Sequence, residues 1–179
     1  MADRPCRPAT MTSGKNTDFA RVYEAHLWHV YAFLAYRLRD RDLAEDLTQS
    51  TFERALRAWP RFDPRRASER TWLLTIARNL LIDHHRREHP QLSGDITALH
   101  PGVSDGPDAG GESWPALDAA LEELSDRERE IIALRFGADL SGAEIAALTG
   151  LSLANVQQIT SRSLKKLRTL MEPASEPGR

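Results

Sequence analysis

The 179-residue sequence contains one cysteine, Cys6. A single thiol closes no intramolecular disulfide and builds no cysteine zinc site. No apolar run approaches the roughly 18 residues needed to cross a bilayer. The N-terminus, MADRPCRPATMTSGKNTD, has no apolar core of the kind a secretory signal needs. These absences point to a soluble protein of the cytoplasm. Strand-type alternation of apolar and polar residues is missing throughout. So are H-E-x-x-H, G-x-S-x-G and a phosphate-binding glycine loop, so no catalytic residue is nominated. An excess of charge of one sign is also lacking: 24 Lys+Arg against 26 Asp+Glu leave a net charge of −2. That average alone argues against nucleic-acid binding.

Resolved along the chain, the charge is far from even. Residues 54–87 carry nine arginines against three acids, a local balance of +6. Residues 88–126 carry nine acids and no Lys or Arg, whereas 151–171 carry four cations and no acid. Two basic segments thus flank an acidic one. The acidic stretch is also a compositional break, with nine Gly+Pro among the 26 residues from Pro90 to Pro115. Such a stretch sustains neither helix nor sheet and reads as a flexible linker. Its reach as a random chain is about 28 Å.

On either side the pattern is helical. Phe19, Val22, Tyr23, Leu27, Val30, Tyr31, Leu34 and Leu38 recur at three and four residues, the signature of one long amphipathic helix. Asp42-Leu-Ala-Glu45 reads as an aspartate capping box opening a second helix that ends before Pro60. Ser68 is placed to cap a third, bearing Trp72, Leu73, Ile76, Leu80 and Leu81 and running to about Glu88. Trp72 shares a stripe with Ile76 and Leu80, which favours core packing over base stacking. Beyond the linker, Pro115 suits the first position of a short helix. Ser125-Asp-Arg-Glu128 and Ser141-Gly-Ala-Glu144 are capping boxes, and Ser152 caps a final helix with Val156, Ile159, Leu164, Leu167 and Leu170 inside.

The expected fold is therefore all-α: two small helical domains joined by a flexible acidic linker. The boundaries fall at a disordered extension 1–17, a first domain 18–89, a linker 90–113, a second domain 114–172 and a disordered tail 173–179.

The run SGAEIAALTGLSLANVQQITSRSLKK, residues 141–166, reads as a helix-turn-helix. Ala146 and Ala147 provide the small residues needed where two helices cross. Gly150 provides the positive φ of the turn, and Leu151, Val156 and Ile159 fix the second helix. That leaves Ser152, Asn155, Gln157, Gln158, Ser161 and Arg162 facing outward. Asn and Gln suit adenine edges and Arg suits guanine, while Lys165, Lys166 and Arg168 suit phosphates.

The run Ala44–Glu88, AEDLTQSTFERALRAWPRFDPRRASERTWLLTIARNLLIDHHRRE, closely resembles the second conserved domain of bacterial RNA polymerase sigma factors. The version it is similar to is the small extracytoplasmic-function (ECF) class. The distinguishing elements are Asp46-Leu-Thr-Gln49, Phe62-Asp-Pro, Thr71-Trp-Leu and Ile76-Ala-Arg-Asn79 ahead of Asp83-His-His-Arg-Arg87. The helix-turn-helix then resembles the class's fourth domain, and the likeness covers about residues 18–88 and 114–172.

The resemblance implies a factor that binds core RNA polymerase and directs promoter-specific initiation. Glu45, Asp46 and Gln49 would dock on the clamp coiled coil of the largest subunit. Phe62 and Asn79 would line a pocket for an extruded base of the −10 element. Arg65, Arg66, Arg70, Arg78, Arg86 and Arg87 would hold the displaced strand and flanking duplex. Asp83 stays open between surface acid and base contact. The −35 readers would be Ser152, Asn155, Gln157, Gln158, Ser161 and Arg162, with Lys165 and Lys166 on phosphates. Many relatives begin this helix with more basic residues, so amide contacts carry more of the readout here. The expected partners are core polymerase, promoter DNA and an anti-sigma factor, in this class often membrane-linked; no enzymatic activity and no cofactor are expected.

Two other readings compete with this one. His26 and His29 are three apart, and His85 and His89 four apart beside Glu88, spacings that suit a metal in a helical bundle. Surface histidines beside a basic face explain them more simply, and no metal is assigned. Leu124-Ser-Asp-Arg-Glu-Arg-Glu130 resembles the start of response-regulator DNA-binding domains, which would make the chain a helix-turn-helix regulator without a sigma role. Such proteins need an α/β receiver, and the first half has no strands.

Overall fold

The computed structural model describes residues 13–38, 40–88 and 115–171. The extension up to residue 12, the linker over 90–113, the tail and His89 lie outside the described residues. The described residues are helical, with no strand among them.

Helix α1 spans Ser13–Leu38, α2 Arg41–Ala58 and α3 Glu69–Glu88, with a 3₁₀ turn Trp59–Arg61 after α2. Helix α1 begins five residues inside the stretch expected to be disordered. It buries Val22, Val30, Phe33, Leu34 and Leu38 against Leu47, Phe52 and Ala55 of α2 and Leu73, Leu74, Ala77, Leu80 and Leu81 of α3. The cap of α2 differs from the expected one: Asp40, not Asp42, accepts the Leu43 N–H at 3.0 Å. Asp42 sits in the first turn instead, and Glu45 pairs with Arg41 at 3.1 Å rather than reaching back to a cap. Pro60 has no N–H to continue the α-helical ladder, so the chain tightens into the 3₁₀ turn. Ser68 caps α3 as expected, accepting the Thr71 N–H at 3.2 Å.

The second group comprises α4 (Pro115–Glu122), α5 (Asp126–Ile132), a π turn (Ala133–Gly137), α6 (Gly142–Thr149) and α7 (Leu153–Met171). Both capping boxes form. Ser125 and Glu128 exchange bonds, as do Ser141 and Glu144, whose carboxylate accepts the Ser141 N–H at 2.8 Å and its hydroxyl at 2.7 Å. These bonds hold the Glu144 carboxyl below its ordinary pKa. Gly150 takes φ 73° and closes α6 through its N–H to the Ala146 carbonyl at 2.9 Å. Arg129, buried, ties α5 to the preceding turn by donating to the carbonyls of Leu121, Glu122 and Leu124.

The interior stripe of α7 departs from expectation. Val156, Ser163 and Leu167 are buried, while Leu164 and Leu170 face solvent. Residues 156, 163 and 167 are seven and four apart and share a face, whereas Leu164 is turned about 100° from Ser163. At the crossing of α6 and α7, Ala146 packs on the core but Ala147 is exposed.

The two groups share one apolar core. Ile131, Leu134, Ala138, Leu140, Ile145 and Val156 are continuous with the α1–α3 side chains. Closest is the approach of the π turn to α1: a Cβ on Gly137 would lie 2.9 Å from the Tyr36 ring and 3.2 Å from the Ala32 carbonyl carbon. Only a glycine lets the turn seat there without displacing α1.

Candidate nucleic-acid interface

Helix α3 presents two stripes. Trp72, Ile76, Asn79, Asp83 and Arg86 recur every three to four residues along one, and Leu74, Ala77, Leu81 and His85 along the other. The second stripe is buried. The first is capped by the loop that enters α3. Phe62 lies 4.9 Å from Trp72 and stacks on Trp59 at 5.0 Å, with the two rings 12° from parallel. Trp59 in turn packs edge-on against Phe19 of α1 at 5.6 Å. The Phe62 N–H bonds to the Trp59 carbonyl at 3.1 Å, which fixes the turn. An aromatic wall, half-buried and anchored in the core, therefore stands at the start of α3, and Asn79, two turns further along the same stripe, is exposed.

Exposed arginines lie in the loop before α3 and at its far end. Asp63 accepts the Arg65 N–H at 3.0 Å in a side-chain turn, which projects Arg65 and Arg66 into solvent. Arg86 and Arg87 are exposed at the end of α3. Asp83 lies 3.8 Å from Arg54, an exposed ion pair. Arg70 and Arg78 behave differently and face the second group of helices. Arg78 donates to Glu130 at 2.7 Å and Arg70 to the Asp139 carbonyl at 2.6 Å. Chemically, the exposed set offers what an extruded base requires: a π face, an amide for the base edge and guanidinium groups for phosphates.

The helix-turn-helix supplies the second face. Ser152 accepts the Asn155 N–H at 3.2 Å, so its hydroxyl caps α7 while the side chain stays exposed. Asn155, Gln157, Gln158, Ser161, Arg162 and Lys165 are all exposed along α7. Lys166, expected to point at phosphate, bends back and donates to the Glu123 carbonyl. This face carries amides and one guanidinium, groups whose chemistry suits adenine and guanine edges.

On α2, Glu45, Asp46 and Gln49 are exposed along one edge, opposite buried Ala44, Leu47 and Thr48. Gln49 donates to Glu53 at 3.1 Å.

Among the described residues no group of three or more His, Cys, Asp or Glu is placed to hold a metal. His26 sits 3.4 Å from Glu69, and burial, its largest influence, lowers its pKa. His85 is buried on α3; burial and then the Arg37 charge push its pKa down.

Residues 22–90 match the family Sigma-70 region 2, and residues 120–169 match Sigma-70, region 4. The ECF RNA polymerase sigma factor SigC of Mycobacterium tuberculosis is 36% identical over 151 residues, covering 83% of this chain and 80% of that protein. The chain belongs to the ECF class of RNA polymerase sigma factors. SigX of Bacillus subtilis, another ECF sigma factor, is 32% identical, with 86% of this chain and 84% of SigX covered. Against BldN of Streptomyces coelicolor the identity is 32%, and the chain spans 62% of that longer protein. Among solved structures, the sigma factor RpoE of Bartonella quintana, in complex with the anti-sigma factor NepR, superposes with a TM-score of 0.73. It is 25% identical, and the match covers 88% of this chain and 99% of RpoE. The match of residues 22–90 to region 2 disfavours the reading as a helix-turn-helix regulator without a sigma role.

In this sigma factor the half-buried aromatic wall and the α2 edge fall within region 2, and the α7 face within region 4. Sequence reasoning missed Trp59, whose ring is the larger half of the wall. The signal was available: Trp59 and Phe62 are three apart around a proline, a spacing that a tight turn stacks. It also missed Glu130 and Asp139, because nothing local marks an acid as the partner of an arginine 52 or 69 residues away.

Proposed function

We propose that the chain acts as a promoter-specificity subunit built from two DNA-reading domains, 18–89 and 114–172, joined by the 90–113 linker. The α7 face reads the −35 element through Asn155, Gln157, Gln158, Ser161 and Arg162, with Ser152 at the helix start. Lys165 serves the phosphates there, joined by Lys166 when it leaves the Glu123 carbonyl. The Phe62–Trp59 wall and Asn79 receive an extruded −10 base, while Arg65, Arg66, Arg86 and Arg87 hold the flanking backbone. Arg70 and Arg78 join them once freed from the second domain. Asp83 serves as a surface acid paired with Arg54. Glu45, Asp46 and Gln49 dock on the clamp coiled coil of core polymerase. The protein carries out no catalysis of its own; it places polymerase and opens DNA in the bacterial cytoplasm. No described helix is long and apolar enough to cross a membrane.

The observation that carries this reading is the pairing, on one chain, of a helical group bearing an aromatic wall and exposed arginines with an amide-faced recognition helix. An anti-sigma factor is the expected regulator. RpoE is solved with NepR, and CnrH, with a TM-score of 0.62, with the cytosolic domain of CnrY. Run-off transcription with core polymerase, with and without this chain, tests the function. A specific start site on a source-genome promoter that depends on the chain is expected; none on any such promoter refutes it.

A further inference from the structure

One residue in the middle of the exposed face of α7 has no polar side-chain group. Val156, Ser163 and Leu167 are the buried residues of this helix. Each residue turns about 100°, so Ala154 points roughly opposite Val156. Gln158, Ser161 and Lys165 follow at four, seven and eleven residues and complete one stripe with it. All four are exposed. Asn155 and Arg162 flank this stripe on one side and Gln157 on the other, all exposed too. Ala154 therefore stands at the centre of the first turn, with amides around it. That turn is held in place. Ser152 accepts the Asn155 N–H at 3.2 Å, and Leu153 reaches α6, its Cδ1 3.1 Å from where a Cβ on Gly142 would lie.

The first turns of a recognition helix are the part that meets base edges in the major groove. The hydrogen-bonding groups that base pairs present there are donors and acceptors; the apolar one is the thymine 5-methyl. An alanine Cβ neither donates nor accepts, so that methyl is its complement. Its small size also lets the helix backbone come close to the base. We propose that Ala154 is a specificity-determining residue of the −35 face and that it packs on the 5-methyl group of a thymine. Gln158 lies one turn further along the same stripe, about 6 Å along the axis. Its amide suits adenine N6 and N7. The stripe thus selects neighbouring A·T pairs, taking the methyl of one and the adenine of the next. This rests on the reading of α7 as the −35 reader and adds to it a residue that a search for polar side chains passes over.

The test uses the full chain bound to core polymerase. Selection from a randomised duplex first gives the −35 sequence that this complex prefers. A fluorescein-labelled duplex of that sequence is then compared with copies in which each thymine in turn is replaced by deoxyuridine, which lacks only the methyl. At one thymine the exchange should weaken binding by the parent about fourfold in fluorescence anisotropy, the size of one buried methylene. Ala154→Gly should bind the thymine duplex about fourfold less tightly than the parent and be indifferent to deoxyuridine at that position. A preferred sequence without thymine overturns the proposal, and so does one in which every exchange costs less than twofold. Retention of the parent's thymine-to-deoxyuridine ratio by Ala154→Gly overturns it as well, since the methyl would then be met by another residue. If Ala154→Gly loses helix by circular dichroism, Ala154→Val decides alone. Its stiff, branched side chain overfills the contact, so deoxyuridine should now bind more tightly than thymine, and an unchanged ratio overturns the proposal. The first step separates the two layers. Selection that yields no preferred −35 sequence sinks the reading of α7 and this contact with it. A preferred sequence bound without regard to any methyl sinks only the Ala154 contact.

Discussion

Replacing Trp59 with alanine should cost about 3 kcal/mol of stability, the low end of the range for losing a buried aromatic because this ring is only half-buried. The geometry accounts for the size. Trp59 stacks on Phe62 at 5.0 Å, meets Phe19 edge-on at 5.6 Å and lies 6.0 Å from Trp72, so three ring pairs disappear with one side chain. Each pair is worth about 0.5–1.5 kcal/mol beyond its buried area, less when summed because they share one ring. For a chain of this size about 1 kcal/mol shifts the melting temperature by 2–4 °C, so a drop of about 6–12 °C is expected. Phe62→Ala removes a ring at the solvent end of the same stack and should cost less stability. Its effect on promoter opening should be larger, because the proposed base site uses Phe62 while Trp59 holds Phe62 in place. Thermal melts followed by circular dichroism read the first quantity. Permanganate reactivity of −10 thymines with core polymerase reads the second. A Trp59→Ala melt within 2 °C of the parent refutes the anchoring argument. A Phe62→Ala variant that opens the promoter normally refutes the wall.

Three further outcomes follow from other elements. Ser141→Ala removes the cap of α6 and should cost about 1 kcal/mol by urea unfolding; no measurable loss would show that Glu144 alone satisfies that helix end. Gln157→Ala should relax −35 preference at one base position by about 1–3 kcal/mol of discrimination, and an unchanged binding-site selection profile would count against direct readout there. His85, whose folded pKa is lowered by burial, binds its proton more readily in the unfolded chain. Its neutral form therefore supports the fold fully above the ordinary value of about 6.5, and that support is lost as pH falls below it. His26, lowered for the same reason, acts in the same direction. His85→Gln should flatten the fall in stability between pH 7 and 5, and an unaltered slope would place the titration elsewhere.

Much of this molecule is legible one turn at a time. Ser68, Ser125, Ser141 and Gly150 act where local chemistry puts them, because a cap or a left-handed turn is decided within four residues. The exception, Asp40 in place of Asp42, shows the limit of that rule. Two aspartates stand within three residues, both able to cap, and the seating of α2 on α1 and α3 chooses between them. The exposed face of α7 was equally legible at Asn155, Gln157, Gln158 and Arg162. It was misjudged at Leu164 and Leu170, where a leucine signals burial only if a neighbour arrives to cover it.

The sequence by itself determined the helices, most of their ends, the order of the two regions and the uneven distribution of charge behind a net charge of −2. Each of these depends on neighbours within a turn or two, or on composition. Only the tertiary structure decided which arginines meet solvent. Arg65 and Arg86 project outward, while Arg70 and Arg78, identical in type and close in sequence, end on a carbonyl and carboxylates far along the chain. A helix rotates 100° per residue, so neighbouring arginines point to different worlds. What waits on each side is set by the packing of the other domain. The same packing buries Arg37 and turns Gly137 into the seat between the two halves.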